Sequence, residues 1–567
     1  MKSYYSPFIH RRLVIILIIQ LSLLLPSGVW AGEAQKSSLG EDSIKGPFQP
    51  TWDSLSHYQC PEWFQDAKFG IWAHWGPQCV SEQGDWYARG LYENIDLDRN
   101  SGGKPNQYYT YHVEHYGHPS KFGFKDIINL WRGEHWEPEK LIALYKKAGA
   151  QYFVAMANHH DNFDNWDSAY QPWNSVKVGP KRDIIGDWAK AARAAGMNFG
   201  VSVHCARAWD WYAPAQGSDP TGPLAGVPYD GKLTKADGKG TWWDGLDPQD
   251  LYAQNHPANQ RSPRWDPSHP ETPDMRYITK FYHRMIDLID KYHPDLIDFD
   301  DHGHPINETV GRYVAAHLYN SSIQVHRGTN EAIMTAKGLD DQRRKSIVLS
   351  IESGAADKLD AVTWQSEDCI GGWHYSRGKT GQNCYDRYKS AVWVTQTLAD
   401  TVSKNGSFLL SVPVRADGTI DDRETAIVEN VAAWMEINRE AIFDTRPFTI
   451  FGEGPLLHNA DKLAKDRAHE RWKYSAADIR FTTTRATTVK PATLYAIAME
   501  WPTDGKIFVK TLATGSPQYP GAVGKVELLG AKSPVIWQRS AEGLIVTVGT
   551  TRPCQGPCVL KITPKFN

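Results

Sequence analysis

Three short apolar runs in this chain each end in histidine: Phe69-Gly-Ile-Trp-Ala-His74, Tyr152-Phe-Val-Ala-Met-Ala-Asn-His159-His160 and Asn198-Phe-Gly-Val-Ser-Val-His204. A fourth, Asp295-Leu-Ile-Asp-Phe-Asp300-Asp301, ends in carboxylates. Polar groups at the ends of successive strand-like runs suit a barrel of parallel strands, because each strand delivers its last residues to one open face. Helical stretches at Glu137 to Ala148, Asp183 to Ala195 and Met275 to Tyr292 alternate with these runs, the βα rhythm of a parallel sheet. Further strands are expected at Ile323 to His326, Ile347 to Ile351 and Phe408 to Val412, which brings the count close to that of a (β/α)8-like, TIM-type barrel.

Two long insertions, Gly90 to Glu134 and Arg207 to Pro270, break the rhythm. Loops of that length in a compact domain are usually functional, so they are expected to wall a cleft. After Pro447 the helices stop. Short alternating runs at Leu494 to Met499, Lys506 to Val509, Val526 to Leu529 and Gly543 to Val548, set between Gly, Pro and Asp turns, predict an antiparallel β-sandwich. At the other end, basic His10-Arg11-Arg12, apolar Leu13 to Leu25 and small residues at Val29 and Ala31 read as a secretory signal peptide. The expected plan is a signal peptide over 1–31, a barrel over 32–447 and a sandwich over 448–567, exported to the periplasm or beyond.

No later run approaches the roughly 20 apolar residues of a membrane span. A net charge of −3 gives no polybasic attraction for nucleic acid or acidic lipid. The 23 Trp and 26 Tyr suit stacking on the apolar faces of sugars. Seven scattered cysteines exclude a disulfide-built scaffold. Cys554 and Cys558 are expected to close a small disulfide loop, while Cys205 and Cys369 read as buried apolar fillers.

Asp300 is the nucleophile candidate, since a bare carboxylate ending an apolar strand is otherwise a poor core residue. Strand alternation puts Asp298 on the same side and Asp301 on the other. A metal centre built from these carboxylates with His159, His160, His302 and His304 is an alternative. His159 and His160 are adjacent, so both reach one mouth only if the backbone twists or bulges there. Neutral imidazoles would then hydrogen-bond sugar hydroxyls.

Several blocks resemble the α-L-fucosidases of glycoside hydrolase family 29. Trp63-Phe-Gln-Asp-Ala-Lys-Phe-Gly-Ile-Trp-Ala-His74-Trp-Gly is similar to the family's W-x-x-x-K-F-G-I-F-x-H-W-G signature, and Asp85-Trp86-Tyr87 to its E-W-Y segment. The stretch from Ala157 through His159-His160-Asp161 to Ser168 resembles K-H-H-D-G-F-x-x-W-x-S, and Pro294 to Asp300 resembles the P-D-x-x-W-F-D strand bearing the nucleophile. Val402 to Ser411 and Ile437 to Pro447 resemble V-S-K-N-G-N-L-L-L-N and N-G-E-A-I-Y-x-T-R-P. The blocks follow the family's order across the barrel region.

The resemblance implies a retaining exo-acting hydrolase for terminal α-L-fucosyl residues of fucosylated oligo- or polysaccharides, needing no cofactor. Asp300 would form a covalent glycosyl-enzyme while a second carboxylic acid, roughly 5–5.5 Å away, protonates the departing oxygen. It also implies that His74, Asp85, Trp86, His159, His160 and His204 line the sugar pocket, with Asp298, Trp364 and Trp373 beside them. Two positions depart from the pattern: Asp298 replaces a Trp, and Asp85 is one methylene shorter than Glu. The acid/base of some relatives follows a Trp, but here Gln365 follows Trp364. Glu352, at a strand end, is the preferred replacement because a fixed platform holds a general acid within reach; Glu367 is the runner-up. An L-galactose-specific enzyme, a weakened carbohydrate-binding protein and a metal-dependent hydrolase remain as alternatives.

Overall fold

The computed structural model describes residues 39–40, 43–95, 104–253, 273–377, 388–459, 473–488 and 491–565. The expected signal peptide lies outside them, as do parts of both insertions. Eight parallel strands close a barrel in chain order: β1 (Phe69–Ala73), β2 (Tyr152–Asn158), β3 (Asn198–Val203), β4 (Leu296–His302), β5 (Ile333–Lys337), β6 (Val348–Glu352), β7 (Trp364–Cys369) and β8 (Gly406–Ser411). Helices α1 (Pro138–Lys147), α2 (Ile184–Ala194), α3 (Met275–Tyr292) and α4 (Glu308–Val325) make the first four crossovers. α5 (Ala391–Ser403) joins β7 to β8 and α6 (Asp422–Asn438) follows β8. Between β5 and β6 there is only a short 3-10 turn, Arg343–Lys345.

The helices start where side chains satisfy their free N–H groups. Asp274 accepts from the Tyr277 N–H at the head of α3, and Ser390 from the Trp393 N–H at the head of α5, each such cap being worth about 1 kcal/mol. At the head of α6, Asp421 and Glu424 form a reciprocal capping box. The strand expected at Ile323 to His326 is instead the end of α4. Val310, Val314 and Leu318, all buried on α4, carry helical spacing into that segment, and the true strand begins at Ile333.

Alternate residues of every strand point inward, and they change character with height. At the bottom, Tyr152, Val154, Leu296, Ile333, Val348 and Leu409 pack with Phe64 and Ala67 from the preceding short helix. Each fully buried aliphatic side chain there stabilises the fold by about 1.5–3 kcal/mol. Gly70 makes room for this plug, since a Cβ at that position would sit 2.3 Å from the Tyr152 ring. Two residues further up β4, β5 and β6 the inward positions are Asp298, Thr335 and Ser350, level with Ser202 of β3, and two further still they are Asp300, Lys337 and Glu352, with His204 just past β3. The barrel is dry below and polar above.

The C-terminal strands are β9 (Thr445–Glu453), β10 (Ile479–Thr484), β11 (Leu494–Ala498), β12 (Lys506–Val509), β13 (Val523–Leu528), β14 (Ile536–Arg539), β15 (Leu544–Thr547) and β16 (Cys558–Pro564). They form a five-stranded sheet, order β13-β16-β11-β10-β9, and a three-stranded sheet, order β12-β15-β14, with antiparallel pairing throughout. Phe481, Leu494 and Leu560 of the first meet Val509, Leu544 and Val546 of the second in one apolar core. β9 starts just ahead of the expected junction at Pro447. Arg480 reaches from β10 to Asp400 on α5 at 2.6 Å, where Lys404 also donates at 2.7 Å; all three are buried. Cys554 and Cys558 are free thiols, not the expected disulfide.

Candidate active site

Asp300 stands at the barrel mouth with its carboxylate 23% exposed. Pairing of β4 with β5 shifts register between Phe299 and His302, so Asp300 sits in a bulge that aims its side chain out of the regular ladder. His160 Nε2 and His204 Nδ1 each lie 3.2 Å from Oδ2, and the Lys337 ammonium contacts Oδ1. Burial works against ionisation, but Lys337 and the hydrogen bonds from His160 and His204 outweigh it and hold the carboxyl well below its usual range.

A buried chain of hydrogen bonds fixes the His204 tautomer. The Trp72 indole N–H, which can only donate, lies 3.1 Å from Ser202 Oγ, and that hydroxyl lies 3.3 Å from His204 Nε2. The Asp300 carboxylate can only accept, so the proton of the neutral ring sits on Nδ1, facing it at 3.2 Å, and the bare Nε2 accepts from the Ser202 hydroxyl. Burial lowers the His204 pKa, in keeping with a neutral ring. On the neighbouring strand, pairing of β2 with β3 shifts register between Met156 and Asn158. Both histidines that follow turn to the same mouth, with ring centroids 4.6 Å apart. His160 Nδ1 donates to the His204 carbonyl at 2.9 Å. Gln78 Oε1 accepts from the Ala88 N–H, so its Nε2 donates to His159 Nδ1 at 2.9 Å and leaves the His159 proton on Nε2.

Three carboxyl groups meet one ammonium. Lys337 Nζ contacts Asp300, lies 2.8 Å from Glu352 Oε2 and 3.3 Å from Glu367 Oε1. Each candidate acid is thus no more than roughly 6 Å, two hydrogen-bond lengths, from Asp300. Glu352 and Glu367 are register partners on β6 and β7, yet their surroundings differ: the side chain of Glu352 is 36% exposed and that of Glu367 is 1% exposed. Burial, then the neighbouring Asp298, push the Glu367 carboxyl well above its usual range. Asp298 lies beneath Asp300, its Oδ1 accepting from Thr335 Oγ1 and from Gln365 Nε2 at 3.3 Å. Burial raises it to about 6.

The opposite wall carries the remaining expected residues. Asp85 is contacted by His374 Nδ1 and lies 3.9 Å from His159 Nε2. Trp86 is held in the left-handed region at φ 72°, a conformation that costs a bulky residue about 1–3 kcal/mol and that clusters at ligand sites. Its ring lies 6.4 Å from that of His160 and 6.0 Å from that of Trp211, which comes from the second insertion. His74 hydrogen-bonds Ser411 at 3.2 Å, with the Trp72 and Trp373 rings 3.9 and 5.0 Å away.

Three expected residues do not join this group. Trp364 opens β7 on the outer face, where its indole donates to the Lys404 carbonyl at 3.0 Å and its ring fills the space left by Gly406. A residue one position before an inward-facing Gln365 must point away from the barrel axis. His304 packs edge-on against Trp52, 4.9 Å between rings, and His302 is exposed near Arg207; neither meets His159 and His160. Two other donor sets could share an ion: His159, His160 and His204, and Asp85, His159 and His374, the ligand atoms of each lying within 4.8 Å of one another. In the first set, His160 and His204 already direct nitrogens at Asp300.

Lys337, His374, Gln78 and Ser202 are site residues that the sequence reading missed. Lys337 carried a signal: Ile333, Thr335 and Lys337 share one face of β5, and that strand had been expected elsewhere.

A family model described as alpha-L-fucosidase matches residues 36–440, and one for the alpha-L-fucosidase C-terminal domain matches 474–563. Rat tissue alpha-L-fucosidase is 24% identical over 533 residues, spanning 91% of this chain and 92% of its own. Human plasma alpha-L-fucosidase is 22% identical over 524 residues, 90% of each chain. The structure of Thermotoga maritima alpha-fucosidase in complex with fucose superposes with a TM-score of 0.63 at 24% identity, covering 91% of this chain and 100% of that one, which supports the shared fold. With matches across both the barrel and the C-terminal sheets, the chain belongs to the α-L-fucosidase family of glycoside hydrolases.

Proposed function

We propose that the protein is an exported, exo-acting α-L-fucosidase that removes terminal α-L-fucosyl residues from glycans with retention of configuration. The observation that carries the reading is the ionised Asp300 at the barrel mouth, with two further carboxyl groups no more than roughly 6 Å away, a range that includes the separation retaining enzymes use. Family membership supports the choice of sugar, and the basic and apolar stretch at 10–31 supports export.

Asp300 attacks the anomeric carbon and forms a covalent ester, while the acid/base protonates the leaving oxygen; the same group then takes a proton from water as the ester is hydrolysed. Glu352 is the proposed acid/base, since its partial exposure at the mouth lets it meet a leaving group. A second reading gives the role to Glu367, whose burial raises its carboxyl well above the usual range, toward the protonated form a general acid starts from. His74, His159, His160, His204, Asp85, Trp86 and Trp373 are proposed to hold the sugar, with aromatic faces against its apolar side.

The test is hydrolysis of an aryl α-L-fucoside. The wild type is expected to turn over in the presence of chelator, and Asp300→Gly to lose about 10⁴-fold or more in kcat. Wild-type-like activity in Asp300→Gly overturns the assignment; loss of activity in chelator favours the metal reading. Glu352→Ala should slow poor leaving groups far more than activated ones, with azide restoring rate; that pattern in Glu367→Ala instead selects the second reading.

A further inference from the structure

Lys337 has no part in the scheme above, yet its ammonium contacts the nucleophile and both candidate acids. The strand holds it there: it is the last inward-facing residue of β5, and its carbonyl accepts from the Gly303 N–H at 2.8 Å, tying it to the turn just past Asp300. We propose that Lys337 is a positioning residue whose single positive charge serves the nucleophile and the acid/base in turn, neutralising whichever of them carries the negative charge. The inference rests on the fucosidase reading above.

The charge must move. In the first step an Asp300 oxygen bonds to the anomeric carbon and the bond to the leaving oxygen breaks. Its electron pair stays on that oxygen, which takes the proton of the acid/base. Asp300 is then a neutral ester and the acid/base a carboxylate. In the second step the acid/base takes a proton from water, the water oxygen bonds to the anomeric carbon, and the ester electron pair returns to Asp300. One negative charge has crossed from β4 to the neighbouring wall and back. An ammonium already touching both ends stabilises each state without reorganising, which is how fixed charges act on a transition state.

Kinetics of Lys337→Met, Lys337→Arg and Lys337→Ala on aryl α-L-fucosides test this, with thermal unfolding to show that each variant is folded. Lys337→Met is expected to lower kcat on the order of 100-fold with KM changed by less than about threefold. Lys337→Arg should recover about a tenth or more of wild-type kcat, and ethylammonium should restore rate to Lys337→Ala in a saturable manner. If Lys337→Met keeps kcat within about threefold of wild type, or loses activity through KM alone, the proposal fails. If neither neutral variant folds, Lys337→Arg carries the test, and a kcat no higher than about a hundredth of wild type with normal folding overturns it. Wild-type turnover that vanishes in Asp300→Gly leaves the fucosidase reading standing whatever Lys337 does, whereas no turnover by wild type removes both.

Discussion

The Asp300 carboxylate accepts two imidazole contacts and one ammonium contact, and the His204 contact depends on where one proton sits. His204 donates to Asp300 because a carboxylate can only accept, and Ser202 supports that tautomer by donating to the other ring nitrogen. Ser202→Ala removes that hydroxyl, and with it the acceptor of the Trp72 N–H, withdraws support for the Nδ1–H tautomer of His204 and is expected to cost about tenfold in kcat, by the logic of ligand-orienting hydrogen bonds. Unchanged kcat in Ser202→Ala would show that the tautomer is set by Asp300 alone. At this scale the sequence was informative about strand-end histidines and Asp300, because polar residues ending apolar runs stand out. It was silent on His374, in an irregular segment, and Gln78, in a short 3-10 helix, which reach Asp85 and His159 only through the fold.

Strands that open on an apolar run were legible even where they end in chemistry, and strands without such a run were not. β1 to β4 begin as apolar runs, so alternation and length identify them. β7 reads Trp-Gln-Ser-Glu-Asp-Cys, with Gln365 and Glu367 pointing into the polar half of the barrel. No hydrophobic period survives there to mark a strand. β5 is short and follows a long helix whose last turn, Ile-Gln-Val-His, imitates a strand in isolation. Helix starts, by contrast, are chemical signals close in sequence. At the head of α6, Glu424 accepts from the Asp421 N–H at 2.8 Å and from the Tyr388 hydroxyl at 3.0 Å. Burial and then the Asp421 charge raise its carboxyl to about 8. An acid raised in the folded state contributes stability that is complete below its unfolded value of about 4.3 and is lost as pH climbs toward 8. Glu424→Gln mimics the protonated form, so its stability relative to wild type should rise by about 4 kcal/mol between pH 4.5 and 8. Parallel denaturation curves across that range would contradict the shifted carboxyl.

At the scale of the whole molecule, the barrel supplies a rigid ring of strand ends and the insertions supply a wall. Those insertions brace each other: Asp219 of the second accepts from Tyr109 at 2.7 Å and faces His118 at 3.0 Å, both of the first. Trp211 from the second insertion also reaches the mouth beside His160, 5.6 Å between rings. The length of the insertions led to the expectation of a wall, but the bracing was not legible in the sequence, because it depends on pairs about a hundred residues apart. The C-terminal sheets were foreseen from alternation, but their attachment through Asp400, Arg480 and Lys404 was not. Among the described residues no helix is long and apolar enough to cross a membrane.

Retention through Asp300 requires a covalent bond between its carboxylate and the sugar, and that bond can be trapped. A 2-deoxy-2-fluoro-α-L-fucosyl donor with an activated leaving group slows hydrolysis of the intermediate more than its formation, since fluorine disfavours the oxocarbenium-like transition state. Intact-mass and peptide mass spectrometry should find one fluorofucosyl group per chain, on Asp300, and none in Asp300→Gly. A label on another carboxylate, or sustained wild-type turnover of unsubstituted aryl fucoside with inversion at the anomeric carbon, would contradict the account.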